Sequence, residues 1–290
     1  MGLSAVRASL VSGRGRLVGR GRKPLAPLLP GPGRAEQDPC AWLDAALGAG
    51  AEAVAEAGVA SVDVVGIGAL GPAPLLVDAN LEPLTPALLF ALDSRAEEER
   101  LALGVESHDH ALPKLRWWQA HEPALVKRAA YALDAAGYLV GALTGVPTMD
   151  TITAASYAAG GGGTPVPVPE PVDPLAVAGA LGPEPASRLG LRAGTPVIAG
   201  TLDTYVDVAA AGVRGPGDAC LLLGSTLVLC RAVDGPVAAD GLELSPYPGE
   251  GLLLGGWTAA GAGVLPCRLP TPSSMGLRRR RRGRRTRRWP

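Results

Sequence analysis

Aromatic side chains are scarce here: 4% of 290 residues, with a single phenylalanine. Small residues take their place, with 40 glycines and 28 prolines beside abundant alanine. This is a bias toward small residues and not toward disorder, because apolar periodicity survives and 47% of the chain is hydrophobic, enough for a core. Cysteine is sparse as well. Cys40, Cys220, Cys230 and Cys267 show no C-x-x-C spacing and read as reduced, mostly buried thiols of a cytoplasmic protein. Long hydrophobic runs are missing. One apolar uncharged stretch, residues 251–267, is 17 residues long and rich in glycine. A membrane span needs about 20 predominantly apolar residues, so buried strands or a loop are expected there, and no membrane partner. No signal-peptide-like apolar segment is read near the beginning. Histidine is limited to three, and His108-Asp109-His110 is followed by no further ligand set, so a surface loop is expected and no protein-held metal.

The formal net charge is zero, but the charge is segregated. Residues 278–288 hold nine arginines and no acid, and the remainder carries 18 basic against 27 acidic residues, a net of −9. The first 35 residues also lack acids and hold Arg7, Arg14, Arg16, Arg20, Arg22, Lys23 and Arg34. An arginine run of this kind attracts phosphate without reading sequence, so it implies no specific nucleic-acid partner.

Apolar spacing and breakers divide the chain into alternating strands and helices. Residues 7–20 read as a hairpin around Ser12-Gly13-Arg14-Gly15. Residues 23–33 read as a Pro/Gly loop. Asp38 as N-cap with Pro39 at the first helical position starts a helix running toward Gly58. Residues 62–67 read as a buried strand, 68–74 as a turn-rich connection and 75–77 as a strand turned by Asp78-Ala79-Asn80. Helices are expected over 95–104, with Arg95 facing water, and over 115–120. Another is expected over 123–133 with a Val126, Ala129, Ala130, Leu133 stripe, and a fourth over 134–143, stopped by Gly145. Residues 158–174 form a low-complexity loop. Residues 174–181 and 183–189 are short helical candidates. Alternation of this kind argues for α/β.

The most telling stretch is 193–226. Residues 195–199 suit a buried strand, and Asp203 stands where a strand ends and a helix begins. Val206, Ala209, Ala210 and Val213 recur at helical spacing. Gly215-Pro216-Gly217 breaks that helix, and residues 221–223 form a strand opening into Gly224-Ser225-Thr226. A carboxylate at one strand end and a Gly/Ser/Thr loop at the next suit phosphoryl transfer, which needs a base for the nucleophile and backbone N–H donors around phosphate. Asp203 has a plainer alternative as a helix cap, and Gly224, Ser225 and Thr226 as a tight turn.

These residues resemble the FGGY family of carbohydrate kinases. GTLDTYVDVAAAGV at 200–213 is similar to the family's catalytic-base segment, and GDACLLLGST at 217–226 to its second phosphate loop. LLVDANLEPL at 75–84 and PALLFALDSR at 86–95 resemble further family segments. So does the run from Leu112-Pro113-Lys114-Leu115 through Trp117, Glu122-Pro123, Tyr138-Leu139 and Leu143-Thr144-Gly145 to Asp150. The resemblance implies a ribonuclease-H-like, actin-like ATPase fold. It implies ATP-dependent transfer of phosphate to a hydroxyl of a sugar or polyol, a pentulose such as xylulose first, with Mg²⁺. Asp203 is then the catalytic base, Gly224, Ser225 and Thr226 bind phosphate, and Asp93, Arg95 and Trp117 contact the sugar.

The chain also departs from the family pattern. Gly2 to Arg7 aligns with the tail of the family's first phosphate loop, and the strand and Asp that precede it have no counterpart. Residues 71–73, at the place of polar sugar-contacting residues, are Gly, Pro and Ala. Past residue 265 the resemblance stops. The expected organisation is a nearly complete first domain over 1–214, the beginning of a second over 215–267 and a disordered arginine-rich tail over 268–290. An inactive truncated kinase is expected. A non-catalytic sugar-binding relative and a scaffold whose tail holds nucleic acid are the alternatives, and a homodimer is left open.

Overall fold

The computed structural model describes residues 1–90, 92–105, 110–223, 227–247 and 251–258. The turn residues 12–16 close the expected hairpin: Ala5–Val11 pairs antiparallel with Leu17–Pro24. That hairpin lies directly on the Pro39–Ala57 helix. Asp38 caps the helix by accepting from the Cys40 N–H at 2.9 Å, and left-handed Gly58 ends it. The two elements meet backbone to backbone. A Cβ at Gly19 would stand 2.1 Å from the Ala53 carbonyl oxygen, and one at Gly21 would stand 2.0 Å from that of Ala49. Buried Trp42 on the same helix donates from Nε1 to Gln37 Oε1 at 2.8 Å, and Gln37 Nε2 donates to the Leu3 carbonyl at 2.8 Å. The beginning of the chain is thereby tied to the core.

Leu75–Val77 is fully buried and pairs antiparallel with Tyr131–Leu133. Arg34–Gln37 pairs antiparallel with Ala87–Leu88. The Ala135–Thr144 helix is buried along most of its length, with Ala135, Ala136, Tyr138 and Leu139 in the main core cluster beside Trp42, Leu75 and Leu133. Distant segments meet in parallel: Gly68–Ala69 with Thr201–Leu202, Met149–Asp150 with Pro171–Val172, and Val65 bridging Val197. Parallel pairs joined through helices are the mark of an α/β fold. The last described unit is a four-stranded antiparallel sheet in the order Ala219–Leu223, Leu227–Val233, Leu252–Thr258, Glu243–Pro246. Its inner face packs Cys220, Leu222, Cys230, Ala232 and Leu253 on Val208 of the Asp203–Ala210 helix, while Leu221, Leu223 and Leu229 alternate outward. No helix among the described residues is long and apolar enough to cross a membrane.

Several local expectations give way to tertiary pairing. Residues 62–67 are not a buried strand; they meet the sheet through a bridge at Val65 and through the Ile67 carbonyl, which accepts from the Thr201 N–H, and the strand proper is Gly68–Ala69. Residues 23–33 include Leu28–Gly31, a strand paired with Arg34–Gln37. The helix expected over 123–133 ends at Arg128, because the Ala130 N–H is drawn to the Val77 carbonyl at 2.8 Å and Tyr131–Leu133 joins a strand. Residues 177–180 are a strand paired with Pro196–Ile198 and not a helix. The helix within 95–104 is only Glu97–Ala102, and Arg95 points inward. Val206, Ala209 and Ala210 are exposed; Val208 and Val213 carry that helix's burial. Cys40 is exposed, against the expectation of mostly buried thiols.

Gly19→Ala and Gly21→Ala each place a methyl inside a carbonyl oxygen's contact radius. Each is expected to lower stability by about 1–3 kcal/mol in urea unfolding, as overpacked sites do. An unchanged midpoint for both would mean that the hairpin and helix are not in backbone contact.

Candidate functional site

The strand before Asp203 reaches its place through Gly200. This residue has φ 71°, and a Cβ there would meet the Ile67 carbonyl oxygen at 2.2 Å, so only glycine fits. Thr201–Leu202 then runs beside Gly68–Ala69, and Asp203 is the first helical residue. Leu202, and not Asp203, occupies the cap position. Asp203 Oδ1 accepts from the Thr204 N–H at 2.8 Å. Its other oxygen faces the chain's first turn: a Cβ at Gly2 would lie 3.8 Å from Oδ2. That turn is held by the same central strand. The Leu70 N–H donates to the Met1 carbonyl at 2.8 Å, and the Met1 amino group donates to the Gly68 carbonyl. Burial raises the Asp203 pKa above the ordinary carboxylate range, and Asp207 adds to it, while the Met1 ammonium and the Thr204 hydrogen bonds pull the other way. A half-buried carboxyl with one oxygen toward open backbone is suited to accept a proton from a hydroxyl.

Two fully buried carboxyls stand behind this strand. Asp150 Oδ1 accepts from the Ile152 and Thr153 N–H groups, each at 3.1 Å, and from Thr201 Oγ1 at 2.8 Å. It caps the Thr151–Ala158 helix, which the sequence reading did not include, and also grips the strand leading to Asp203. Asp134 accepts from the Ala135 N–H at 2.8 Å, capping its own helix, and from the Ala73 N–H at 2.8 Å. Gly71, before the cis Gly71–Pro72 bond, is packed against both Asp134 Oδ1 and Leu202. Burial pushes the Asp134 carboxyl up to about 7 despite those two N–H donors.

Asp93, Arg95 and Trp117 come together in a separate cluster. Asp93 is 1% exposed and accepts from the Ala35 N–H at 2.8 Å, from Arg95 Nε at 2.9 and 3.0 Å and from Arg95 Nη2 at 2.8 Å. Arg95 Nη2 also donates to Glu36. Its guanidinium lies 5.1 Å from the Trp117 ring centroid, Arg34 lies 5.9 Å away, and His121 stacks on that ring at 4.7 Å. Trp118 is buried beside it, as a core helix position, and Lys114 donates from Nζ to the Leu89 carbonyl at 2.9 Å. A sugar reaching Asp93 has to displace Arg95. No hydrogen bond or ion pair among the described residues joins this cluster to Asp203. Gly224, Ser225 and Thr226, expected to bind phosphate, lie outside the described residues, as do His108, Asp109 and the arginine-rich tail. No group of three or more metal-ligating side chains occurs among the described residues. Sequence reasoning passed over Asp134, whose helix start was legible but whose reach to Ala73 was not, and the pairing of Gly2 with Asp203.

Parallel strands feeding a half-buried carboxylate at a strand–helix junction mark an α/β protein, and its likeness to solved sugar kinases makes the fold ribonuclease-H-like, of the actin-like ATPase kind. The comparisons with known proteins agree. Residues 1–159 match the N-terminal domain of the FGGY family of carbohydrate kinases, and the chain belongs to that family. It is 28% identical over 278 residues to an L-xylulose/3-keto-L-gulonate kinase of Escherichia coli, covering 85% of this chain and 55% of that protein. It is 27% identical over 262 residues to a xylulose kinase of Bacillus subtilis, covering 79% and 52%. The crystal structure of a xylulose kinase from Rhodospirillum rubrum superposes with a TM-score of 0.82 at 25% identity, covering 91% of this chain and 60% of that one. The chain thus spans about half the length of the curated relatives it matches.

Removing one partner of a buried ion pair strands the other, so Asp93→Ala is expected to cost about 3–5 kcal/mol of stability. A loss under about 1 kcal/mol in urea unfolding would mean that Arg95 finds water instead. Asp134 has a pH signature. Unfolded, it ionises near 3.8; folded, near 7. Between those values the unfolded chain releases a proton that the fold keeps, so stability falls as pH rises through that window. Asp134→Asn is expected to flatten that slope between about pH 4 and 7, where the wild-type change approaches roughly 4 kcal/mol. Parallel slopes for the two proteins would contradict the assignment.

Proposed function

We propose that this chain carries the sugar-side half of an ATP-dependent carbohydrate kinase acting on a pentulose such as xylulose, with Asp203 as its base. The observation that carries the reading is the placement of Asp203: first residue of its helix, raised by burial, with one oxygen toward the backbone at Gly2. In this role Asp203 orients a sugar hydroxyl, accepts its proton through Oδ2 and keeps Oδ1 on the Thr204 N–H. Its raised pKa brings it nearer the hydroxyl it must deprotonate. The lack of a side chain at Gly2 leaves a backbone cradle that fits a phosphoryl group beside that oxygen. Gly224, Ser225 and Thr226 complete the phosphate contacts in this reading, through backbone N–H groups. When bound, ATP would supply the phosphoryl group, and Mg²⁺ held by its phosphates would neutralise their charge. Asp93, Arg95 and Trp117 brace the sugar side by holding residues 34–36 and 93–95 together. Residues 1–214 form the first domain in this reading and residues 215–267 begin the second. The chain by itself is expected to turn over little or not at all, since it spans about half the length of its curated relatives.

The test is thermal unfolding with a panel of pentuloses and polyols, on wild type and Asp203→Asn, with phosphotransfer measured in parallel. A cognate sugar is expected to add about 2.7 kcal/mol at 100 times its Kd, and Asp203→Asn to weaken that gain by at least about tenfold in Kd. No shift with any sugar would overturn the sugar-side reading. Turnover that survives Asp203→Asn would overturn Asp203 as the base.

A further inference from the structure

We propose that Cys220 and Cys230 form a reversible disulfide, making the hairpin of residues 219–233 a redox modification site. The two cysteines sit directly opposite each other in the antiparallel register of Ala219–Leu223 and Leu227–Val233. Both side chains project to the inner face of the sheet, toward Val208 and Val213. Their sulfurs are 3.3 Å apart. Directly opposed antiparallel residues hold their Cα atoms about 4.5–5.5 Å apart. That falls inside the roughly 4.4–6.8 Å window a disulfide needs, so closure asks for side-chain rotation and about 1 Å of sulfur movement, not a new backbone. The ladder that fixes this register continues past the pair. The Gly217 N–H donates to the Ala232 carbonyl and the Ala232 N–H to the Asp218 carbonyl, each at 2.9 Å. Beyond the strands, Asp218 Oδ2 accepts from the Arg214 and Gly215 N–H groups, and Tyr247 donates to the Val213 carbonyl. The pair is therefore held by these contacts on one side and by the continuing register of Leu222 with Val228 on the other, all of which oxidation leaves intact. Cys40, the other described cysteine, lies exposed at the start of the Pro39–Ala57 helix and has no such partner sulfur among the described residues.

The two sulfurs differ in access, which orders the chemistry. Cys220 is half-buried and Cys230 is buried. Burial and the adjacent Cys220 push the Cys230 thiol up to about 12, so it stays protonated while Cys220 reacts. The oxidant is a low-molecular-weight disulfide such as oxidised glutathione. Cys220, as thiolate, attacks one glutathione sulfur, and the S–S bond of glutathione breaks to release one glutathione thiolate, which takes up a proton. Cys230 then loses its proton as its sulfur attacks Cys220, and the mixed disulfide breaks to release the second glutathione. The two cysteines are oxidised by two electrons, and oxidised glutathione is reduced to two thiols. The new bond ties together the two strands that flank residues 224–226.

The full chain, freed of reductant, is equilibrated with glutathione at a series of oxidised-to-reduced ratios, folded and in denaturant. It is then acid-quenched, alkylated and digested with trypsin. Residues 215–231 form one tryptic peptide holding both cysteines and no internal basic residue, so the bond reads as the loss of two hydrogens with neither sulfur alkylated. The folded chain is expected to reach half-conversion at an oxidising ratio at least ~10-fold lower than the denatured chain, because the register holds the sulfurs together. Cys230→Ser is expected to stop at a mixed disulfide of Cys220 with glutathione, and Cys220→Ser to leave Cys230 unreacted and alkylated. Equal ratios for folded and denatured chains would overturn the proposal. So would a peptide that stays doubly alkylated while Cys40 takes up glutathione, or a bond that joins Cys40 to Cys267 instead. The wild-type comparison stands even where a serine variant fails to fold.

Discussion

A two-residue parallel pairing, Thr201–Leu202 beside Gly68–Ala69, governs the geometry of the candidate site. On one side of the Gly68–Ala69 strand lie Met1 and Gly2, and on the other lies the strand that delivers Asp203. A pairing this short has little strength alone. It is reinforced at each end: Asp150 grips Thr201, Gly200 presses onto the Ile67 carbonyl, and Asp134 holds the chain at Ala73. Asp203 thus faces residues some two-thirds of the chain's length before it in sequence.

The same logic recurs wherever the chain packs. With few aromatics and many alanines and glycines, elements approach until backbones nearly touch, as at Gly19, Gly21 and Gly200. Close approach leaves backbone N–H groups without water. Buried carboxylates satisfy them: Asp93 takes Ala35, Asp134 takes Ala73 and Ala135, Asp150 takes Ile152 and Thr153. Each links an element to one distant in sequence, either through those N–H groups or, for Asp150, through the Thr201 hydroxyl. The cost is burial of charge, carried in Asp93 by the Arg95 guanidinium and in Asp134 by a carboxyl that ionises only near 7. Asp203 is set apart from these three by being half-exposed and by giving a single oxygen to the backbone.

Much of this was legible in the residues. The N-cap at Asp38, the helix beginning near residue 134, the hairpin around Gly13 and Gly15, and the strand–helix junction at Asp203 all rest on short-range chemistry and appear where the sequence places them. The misses share one cause. Residues 129–133 and 177–180 carry helical spacing, yet strand partners at Leu75–Val77 and Pro196–Ile198 claim their backbone hydrogen bonds. Arg95 reads as a solvated helix charge, yet Asp93 and Glu36 draw it inward.

The sequence by itself determined the α/β class, the bounds of the Pro39–Ala57, Ala135–Thr144 and Pro183–Leu189 helices to within a residue, the family and the identity of the residue at the strand–helix junction, because caps, breakers and motif spacing act over a few residues. Only the tertiary structure decided that Asp203 faces Gly2, that Asp93, Arg95 and Trp117 close on one another, that Asp134 reaches Ala73 and that Cys220 meets Cys230. Those contacts join residues tens to hundreds of positions apart or depend on strand register. Both are set by which backbone groups find partners once the chain is packed, and no local pattern encodes that choice.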